Sequence, residues 1–286
     1  TLQRYRPLAV AALRYQDKLY GLPLAMHLDA LYVNRTLVSE PAQTLDDLRA
    51  QALAGVPIWL DTTFEHSYWG LSAFGGELFD SSYQVRLDQG GFADWLAWLK
   101  AARDTAGLKL AADRAAVEQQ FLTGQSAYLV AEPAFLPAAR AALGHDQVDV
   151  ALLPAGPDGN GQPLLSATGF LFSRRLSSAQ LGLALEFAAY ATNVANQGTL
   201  LAMAGLLPTN AGVEGADDAL IATFMEQSER AQVMPNVPPM QAVLTIAGRA
   251  YQAVLEENVE PTAAAAAVTQ QINATGQTDG QTEEER

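Results

Sequence analysis

Met234-Pro235-Asn236-Val237-Pro238-Pro239-Met240 is the stretch that decides how this chain is organised. Prolines 235, 238 and 239 cannot continue a helix, and each biases the residue before it toward extended geometry. The segment is therefore a stiff, irregular link between two helical patterns. It aims the helix that follows, and a link of this kind is where a cleft can form. Far upstream, Tyr15-Gln16-Asp17-Lys18-Leu19-Tyr20-Gly21-Leu22-Pro23-Leu24 is the second landmark, with a short extended run from Lys18 onward.

Outward from these two stretches, strand-like and helix-like patterns alternate, which predicts an α/β architecture. Ala30 to Val33 reads as extended, and Pro57 to Leu60 as a buried strand carrying Trp59. Thr44 with Asp47 three residues on predicts a capped helix reaching Ala52. Phe92, Trp95, Leu96 and Leu99 fall at helical spacing and read as core. Asp113 to Leu122 is a second helix pattern, with Gly124 suited to its C-terminal cap. Strands are expected at Ala127 to Val130, Val148 to Leu153 and Phe170 to Phe172. A long helix is expected from Ala179 to Thr192, with Leu181, Leu185, Ala188 and Ala189 on one side. Further helices are expected near Gly198 to Ala204, Asp217 to Ser228, Met240 to Glu256 and Pro261 to Asn273.

Composition excludes several classes. With 286 residues, 49% of them hydrophobic, the chain can bury one or two ordinary cores. A formal net charge of -14 argues against nucleic-acid binding and against adhesion to anionic lipid, since little here would neutralise phosphates. The chain has no cysteine, so it can hold neither a disulfide framework nor a cysteine-type metal site. No apolar run reaches the roughly 18 residues of a membrane span. Thr1 opens inside an amphipathic pattern without an initiator Met or signal peptide, which reads as a processed or excised piece of something longer. Residues 276–286 are polar and read as a disordered tail or linker.

Catalytic and metal chemistry are weakly signalled. His27, His66 and His145 are scattered, without the i, i+4 pairing of a metal-binding helix. Glu65 beside His66 could perform acid-base work, but a solvated or hydrogen-bonding pair is the plainer reading. Ser72 lacks the second glycine of a nucleophile elbow, and Gly156 to Gly161 form a turn without phosphate-binding spacing. Phe64 and Tyr68 read equally as ligand-stacking rings or as core, and Trp69 as core. No catalytic residue, metal ligand or cofactor is assigned.

The landmarks form an ordered series: Tyr15 to Pro23; Leu31-Tyr32-Val33-Asn34; Gly75-Gly76 with Phe79; Phe121-Leu122-Thr123-Gly124-Gln125-Ser126-Ala127-Tyr128; Glu186-Phe187; Leu207-Pro208-Thr209-Asn210; and Met-Pro-Asn-Val-Pro. In that order they resemble the maltose-binding proteins, within the family-1 extracellular solute-binding proteins of ABC importers, from Tyr15 to Thr275. The resemblance implies a two-lobed, periplasmic-binding-protein-like α/β fold with solute held between the lobes. Residues 1–25 and 168–213 would be the remnant of a truncated lobe one, and 30–162 with 215–275 would form lobe two. It implies an extracytoplasmic, periplasmic or cell-surface location, a small carbohydrate as solute, and ABC permease subunits as partners. The chain could be one domain of a permease fusion.

By the same resemblance the site draws on His27, Phe64, Glu65, His66, Tyr68, Glu132, Phe135 and Leu244. His27 stands where the family carries a carboxylate that grips sugar hydroxyls. The family stacks sugar rings on aromatic faces, yet its first lobe-two Trp falls near Ala134 and its later Trp-Tyr pair falls on Leu244 and Thr245. Saccharide binding is therefore expected to be weak. The alternative reading is a degenerate module that keeps a structural or docking role. The opening strands of lobe one fall before this sequence, so Leu19 to Leu22 and Phe170 to Phe172 are expected to pair directly, or else to be covered by a second chain.

Overall fold

The computed structural model describes residues 2–213 and 218–284, with side chains placed through Thr275. Helix α1 (Pro7–Ala11) opens on a proline in its first turn, where a missing N–H removes no helical bond. Strands β1 (Arg14–Tyr15) and β2 (Lys18–Leu19) form a hairpin closed by Gln16 and Asp17. Both turn residues have positive φ, which a two-residue turn between right-twisted strands favours. β3 (Gly21–His27) passes into the fully buried β4 (Ala30–Asn34) through Leu28 and Asp29 alone.

Helix α2 (Leu45–Leu53) starts at the expected capping box, with Thr44 Oγ1 accepting from the Asp47 N–H and the Asp47 carboxylate accepting from the Thr44 N–H. There follow β5 (Ile58–Asp61), the short helices α3 (Phe64–Ser67) and α4 (Trp69–Ala73), and α5 (Phe92–Ala102). Next come β6 (Leu108–Ala111), α6 (Arg114–Leu122), β7 (Tyr128–Ala131), α7 (Leu136–Leu143) and β8 (Val148–Ala151). β4 lies between β7 and β8, antiparallel to both. β5 runs parallel to β6 and sits beside β7, where the Ala127 N–H donates to Pro57 O at 2.8 Å.

The alternation of β4 splits the core in two. Leu31 and Val33 face α2, α5 and the C-terminal helices, while Ala30 and Tyr32 face Val117, Phe121 and Phe224. Phe92, Trp95, Leu96 and Leu99 are buried core, as their spacing predicts.

β9 (Leu164–Leu171) is longer than the sequence suggests. It pairs antiparallel with β3, Gly21 opposite Leu171 and Leu22 opposite Phe170, so the two strands expected to compensate each other do so. After it come α8 (Ser178–Ala191), α9 (Val194–Ala204), β10 (Leu207–Pro208), α10 (Ala219–Glu229) and β11 (Gln232–Val233). The resulting sheet has the order β10-β3-β9-β11.

Pro238 and Pro239 then occupy the first turn of α11 (Pro238–Ile246), leaving Met234 to Val237 irregular. The pattern expected as one helix from Met240 to Glu256 is broken: α12 (Gly248–Leu255) restarts after Ala247, at a glycine of low helix propensity. α13 (Pro261–Glu284) carries helical backbone past Gly276, where the polar sequence reads as a tail. Residues 285 and 286 lie outside the described residues.

Helix α8 departs from its sequence reading. Ala188 is its one buried residue, while Leu181 and Leu185, expected on one side with Ala188 and Ala189, are exposed together with Leu183, Phe187 and Tyr190. The helix is apolar on several sides, and the described residues cover little of it.

Candidate functional site

The two-residue passage from β3 to β4 places His27 and Asp29 where the two sheets meet. His27 Nδ1 lies 3.2 Å from Glu132 Oε2, just beyond the end of β7, and its Nε2 lies 2.8 Å from Thr168 Oγ1 on β9. One imidazole thus ties together three strands from two sheets. The hydrogen bond to Glu132 holds the His27 pKa above its ordinary value, with partial burial opposing and the Glu132 charge assisting. Tyr32 Oη anchors the same loop by donating to Glu132 O at 2.8 Å.

A second pair lies close in sequence. His66, on α3, sets its Nδ1 2.8 Å from Asp29 Oδ2. Burial pulls the His66 pKa down, but the hydrogen bond to Asp29 and the Asp29 charge outweigh it, so the net shift is upward. Arg114 reinforces the neighbourhood, donating to Val130 O at 2.6 Å and to Glu118 Oε1 at 2.7 Å, with Asp61 Oδ2 at 3.4 Å.

His27, Glu132 and His66 of the expected residues therefore come to this junction. Glu65 points elsewhere: it is exposed and does not pair with His66, whose partner is Asp29. Phe64 and Tyr68 are corrected from stacking candidates to core. Phe64 packs edge-on against Tyr68, Phe92 and Tyr251, and both rings are buried. The Tyr68 hydroxyl donates to Gln232 Oε1. Phe135 is half-buried, with its ring edge-on to Tyr32. Leu244 lies on α11, 36% exposed. Trp69 is core, as read from sequence.

Asp29 and Thr168 were missed. A signal for Asp29 was present, since it is a lone carboxylate inside the otherwise apolar Leu28 to Val33 run; Thr168 carried none.

The described residues also enclose two cavities. One, of about 680 Å³, includes Pro133, Leu136, Arg140, Leu201 and Ile221 in its lining. Another, of about 540 Å³, lies between the β1–β2 turn, Ser82 to Gln84 and the Pro235 to Pro239 segment. The proline-rich link thus borders a recess, as its stiffness suggested. Neither cavity is lined by His27 or His66, which are reached from the open surface with side chains 27% and 23% exposed. Among the described residues no group of three or more His, Asp or Glu side chains is placed to hold a metal ion, and no helix is long and apolar enough to cross a membrane.

Known proteins show the same architecture. The maltodextrin-binding protein MdxE of Bacillus subtilis is 25% identical over 255 residues, which is 80% of this chain and 60% of that protein. The chain therefore spans less than two thirds of that relative's length. The maltose-binding periplasmic protein of Listeria monocytogenes, solved with maltose, superposes with a TM-score of 0.84 at 22% identity, covering 96% of this chain and 77% of that one. The GacH receptor of Streptomyces glaucescens gives 0.82 at 21%, covering 94% and 74%. At these identities the likeness shows the fold, the expected two-lobed α/β architecture of the solute-binding proteins. A family model described as bacterial extracellular solute-binding protein matches residues 2–223, and the chain belongs to that family.

Proposed function

We propose that this chain is the extracytoplasmic solute-binding part of a maltose- or maltodextrin-type ABC importer, and that it takes a carbohydrate weakly. The observation that carries the reading is the junction at His27. There an imidazole, a carboxylate and a hydroxyl converge, and the family resemblance implies that His27 stands where the family carries a hydroxyl-gripping carboxylate. Such a set can both donate to and accept from sugar hydroxyls. On this reading residues 1–25 and 168–213 form one lobe and residues 30–162 and 215–275 the other. Closure of the lobes on the solute would present the chain to permease subunits. The role is binding, without catalysis.

Weak affinity follows from the missing rings. Each lost stacking ring removes apolar burial worth roughly 1.5–3 kcal/mol, and about 1.4 kcal/mol is tenfold in affinity. Ala134, Leu244 and Thr245 stand in the ring positions, and Phe64 and Tyr68 are buried, so neither replaces them. Calorimetry with maltose and maltotriose tests this. Measurable binding weaker than micromolar is expected, and a submicromolar dissociation constant would sink the weak-binding argument.

The burial of Phe64 and Tyr68 also favours a second reading, a degenerate module that docks on the transporter without taking sugar. Complete absence of heat with a panel of neutral oligosaccharides would select it.

A further inference from the structure

Helices α7 and α9 face each other across the cavity of about 680 Å³. On α9 it is lined by Val194, Gly198, Leu201 and Ala202, whose spacing puts them on one helical face. Opposite stand Leu136, Pro137 and Arg140, on one face of α7, and Ile221 of α10 completes the wall. The volume suits a small molecule, since such sites run from about 300 to about 1,000 Å³ and are mostly apolar. Val194 is 50% exposed and the Arg140 side chain 22%, so the cavity is reached from solvent. Neither His27 nor Glu132 lines it.

Gly198 is what keeps this space open. It lies inside α9, where glycine is among the poorest helix formers. Crowding does not explain it, because a Cβ added there meets nothing within 4 Å. Gly205, at the end of the same helix, is the contrast: a Cβ there would meet Pro133 O at 2.8 Å. The charged pair in the wall decides what the space can hold. Asp218 accepts from both Nη atoms of Arg140, at 2.8 and 3.1 Å, so the two charges balance each other. An acid entering the cavity would compete with Asp218, and an amine with Arg140. The guanidinium still keeps N–H groups beyond the two that Asp218 takes.

We propose that this cavity is a second binding site, separate from the His27 junction, for a neutral and largely apolar small molecule carrying an acceptor oxygen. The apolar walls bury its body, and a carbonyl or hydroxyl oxygen accepts from an N–H of Arg140. A saccharide fits poorly, because its many hydroxyls would stand unpaired against Leu136, Val194, Leu201 and Ile221. The site does not depend on the saccharide reading above. An occupant bridges α9 to α7 and α10, so its binding stabilises the folded chain.

The probe is prodan, a neutral naphthalene ketone whose emission moves to the blue in apolar surroundings. It is titrated into wild type, Gly198→Leu and Leu183→Ser, with thermal melts and with maltotriose as competitor. Gly198→Leu sends a side chain into the cavity from a position with open space around its Cβ. Leu183→Ser instead removes apolar surface from the exposed helix α8. Wild type should take one prodan per chain, with blue-shifted emission and a higher melting temperature. Gly198→Leu should bind it at least about tenfold more weakly, Leu183→Ser should bind it as wild type does, and maltotriose should not displace it. Wild type without saturable binding, or Gly198→Leu binding as tightly as wild type, overturns the site. Displacement by maltotriose overturns it too, by placing the probe in the saccharide cleft. Failure of wild type to bind maltotriose at all counts against the saccharide reading alone. Should Gly198→Leu fail to fold, a structure of wild type with prodan decides: prodan between α7 and α9 supports the site, and prodan elsewhere overturns it.

Discussion

Asn236 reaches across the molecule to Ala12, its Nδ2 donating to the Ala12 carbonyl at 2.6 Å and to the Arg14 carbonyl at 3.0 Å. The proline-rich link is thereby fastened to the hairpin more than two hundred residues earlier in the chain. Prolines supply stiffness there but no donor, so the one amide between them makes both bonds. Asn236→Ala should cost about 1–2 kcal/mol, the net worth of two such bonds. Urea unfolding would read this as a lower midpoint at unchanged slope, and an unchanged midpoint would show that the link is held by its prolines alone.

A pH dependence follows from the two imidazoles. His27 and His66 have folded pKa values raised above 6.5. A raised histidine pKa adds stability that is fully present below the unfolded value and is lost as pH rises through the folded one. The protein should therefore lose stability, relative to a His27→Gln, His66→Gln double variant, as pH rises from about 6.5 through the raised folded values. Parallel melts of the two proteins across that range measure the difference. A gap that widens with rising pH would reverse the assigned protonation.

The ring of Phe64 separates packing from ligand contact. It is buried among Tyr68, Phe92 and Tyr251, so Phe64→Ala should destabilise the fold by about 3–5 kcal/mol. Phe64→Leu, which keeps most of the volume, should leave saccharide affinity at the wild-type value. A large affinity loss in Phe64→Leu without a matching loss of stability would return this ring to the binding surface.

These residues also mark where the sequence was legible. The capping box at Thr44, the helical spacing of Phe92 to Leu99 and the prolines of the link act through near neighbours, so local pattern sufficed. The pairing of β3 with β9 was reached because strand edges must be satisfied. What escaped was set at long range: His66 pairs with Asp29 rather than its neighbour Glu65, and His27 meets Thr168 across 141 residues. Helix α8 misled for the opposite reason. Its leucines have core spacing, but burial depends on what lies opposite, which periodicity does not encode.

That helix gives a test of its own. Phe187 is 60% and Leu183 is 68% exposed, so Leu183→Ser should change stability by no more than about 0.5 kcal/mol. Phe187→Ser, which removes an edge-on contact with the Phe170 ring at 5.7 Å, should cost about 0.5–1.5 kcal/mol. Ala188, one residue along, is buried, and Ala188→Leu should cost about 1–3 kcal/mol by overpacking. Denaturation of the three variants checks the contrast. A cost above about 2 kcal/mol for Phe187→Ser would mean that this face is covered in the protein as studied.

On the proposed weak-binding reading, Leu244 offers the chance to restore a stacking ring. It lies on α11 just after the proline-rich link, partly exposed, where the family resemblance expects an aromatic ring. An indole there would present a flat apolar face to the C–H side of a sugar, worth about 0.5–1.5 kcal/mol beyond simple burial. Leu244→Trp should therefore bind maltotriose about 2- to 12-fold more tightly, with little change in stability because the position is not sealed in the core. Calorimetry of the variant against wild type measures it. If Leu244→Trp folds normally and maltotriose affinity does not rise, α11 does not border the solute, and the saccharide cleft lies elsewhere on the molecule.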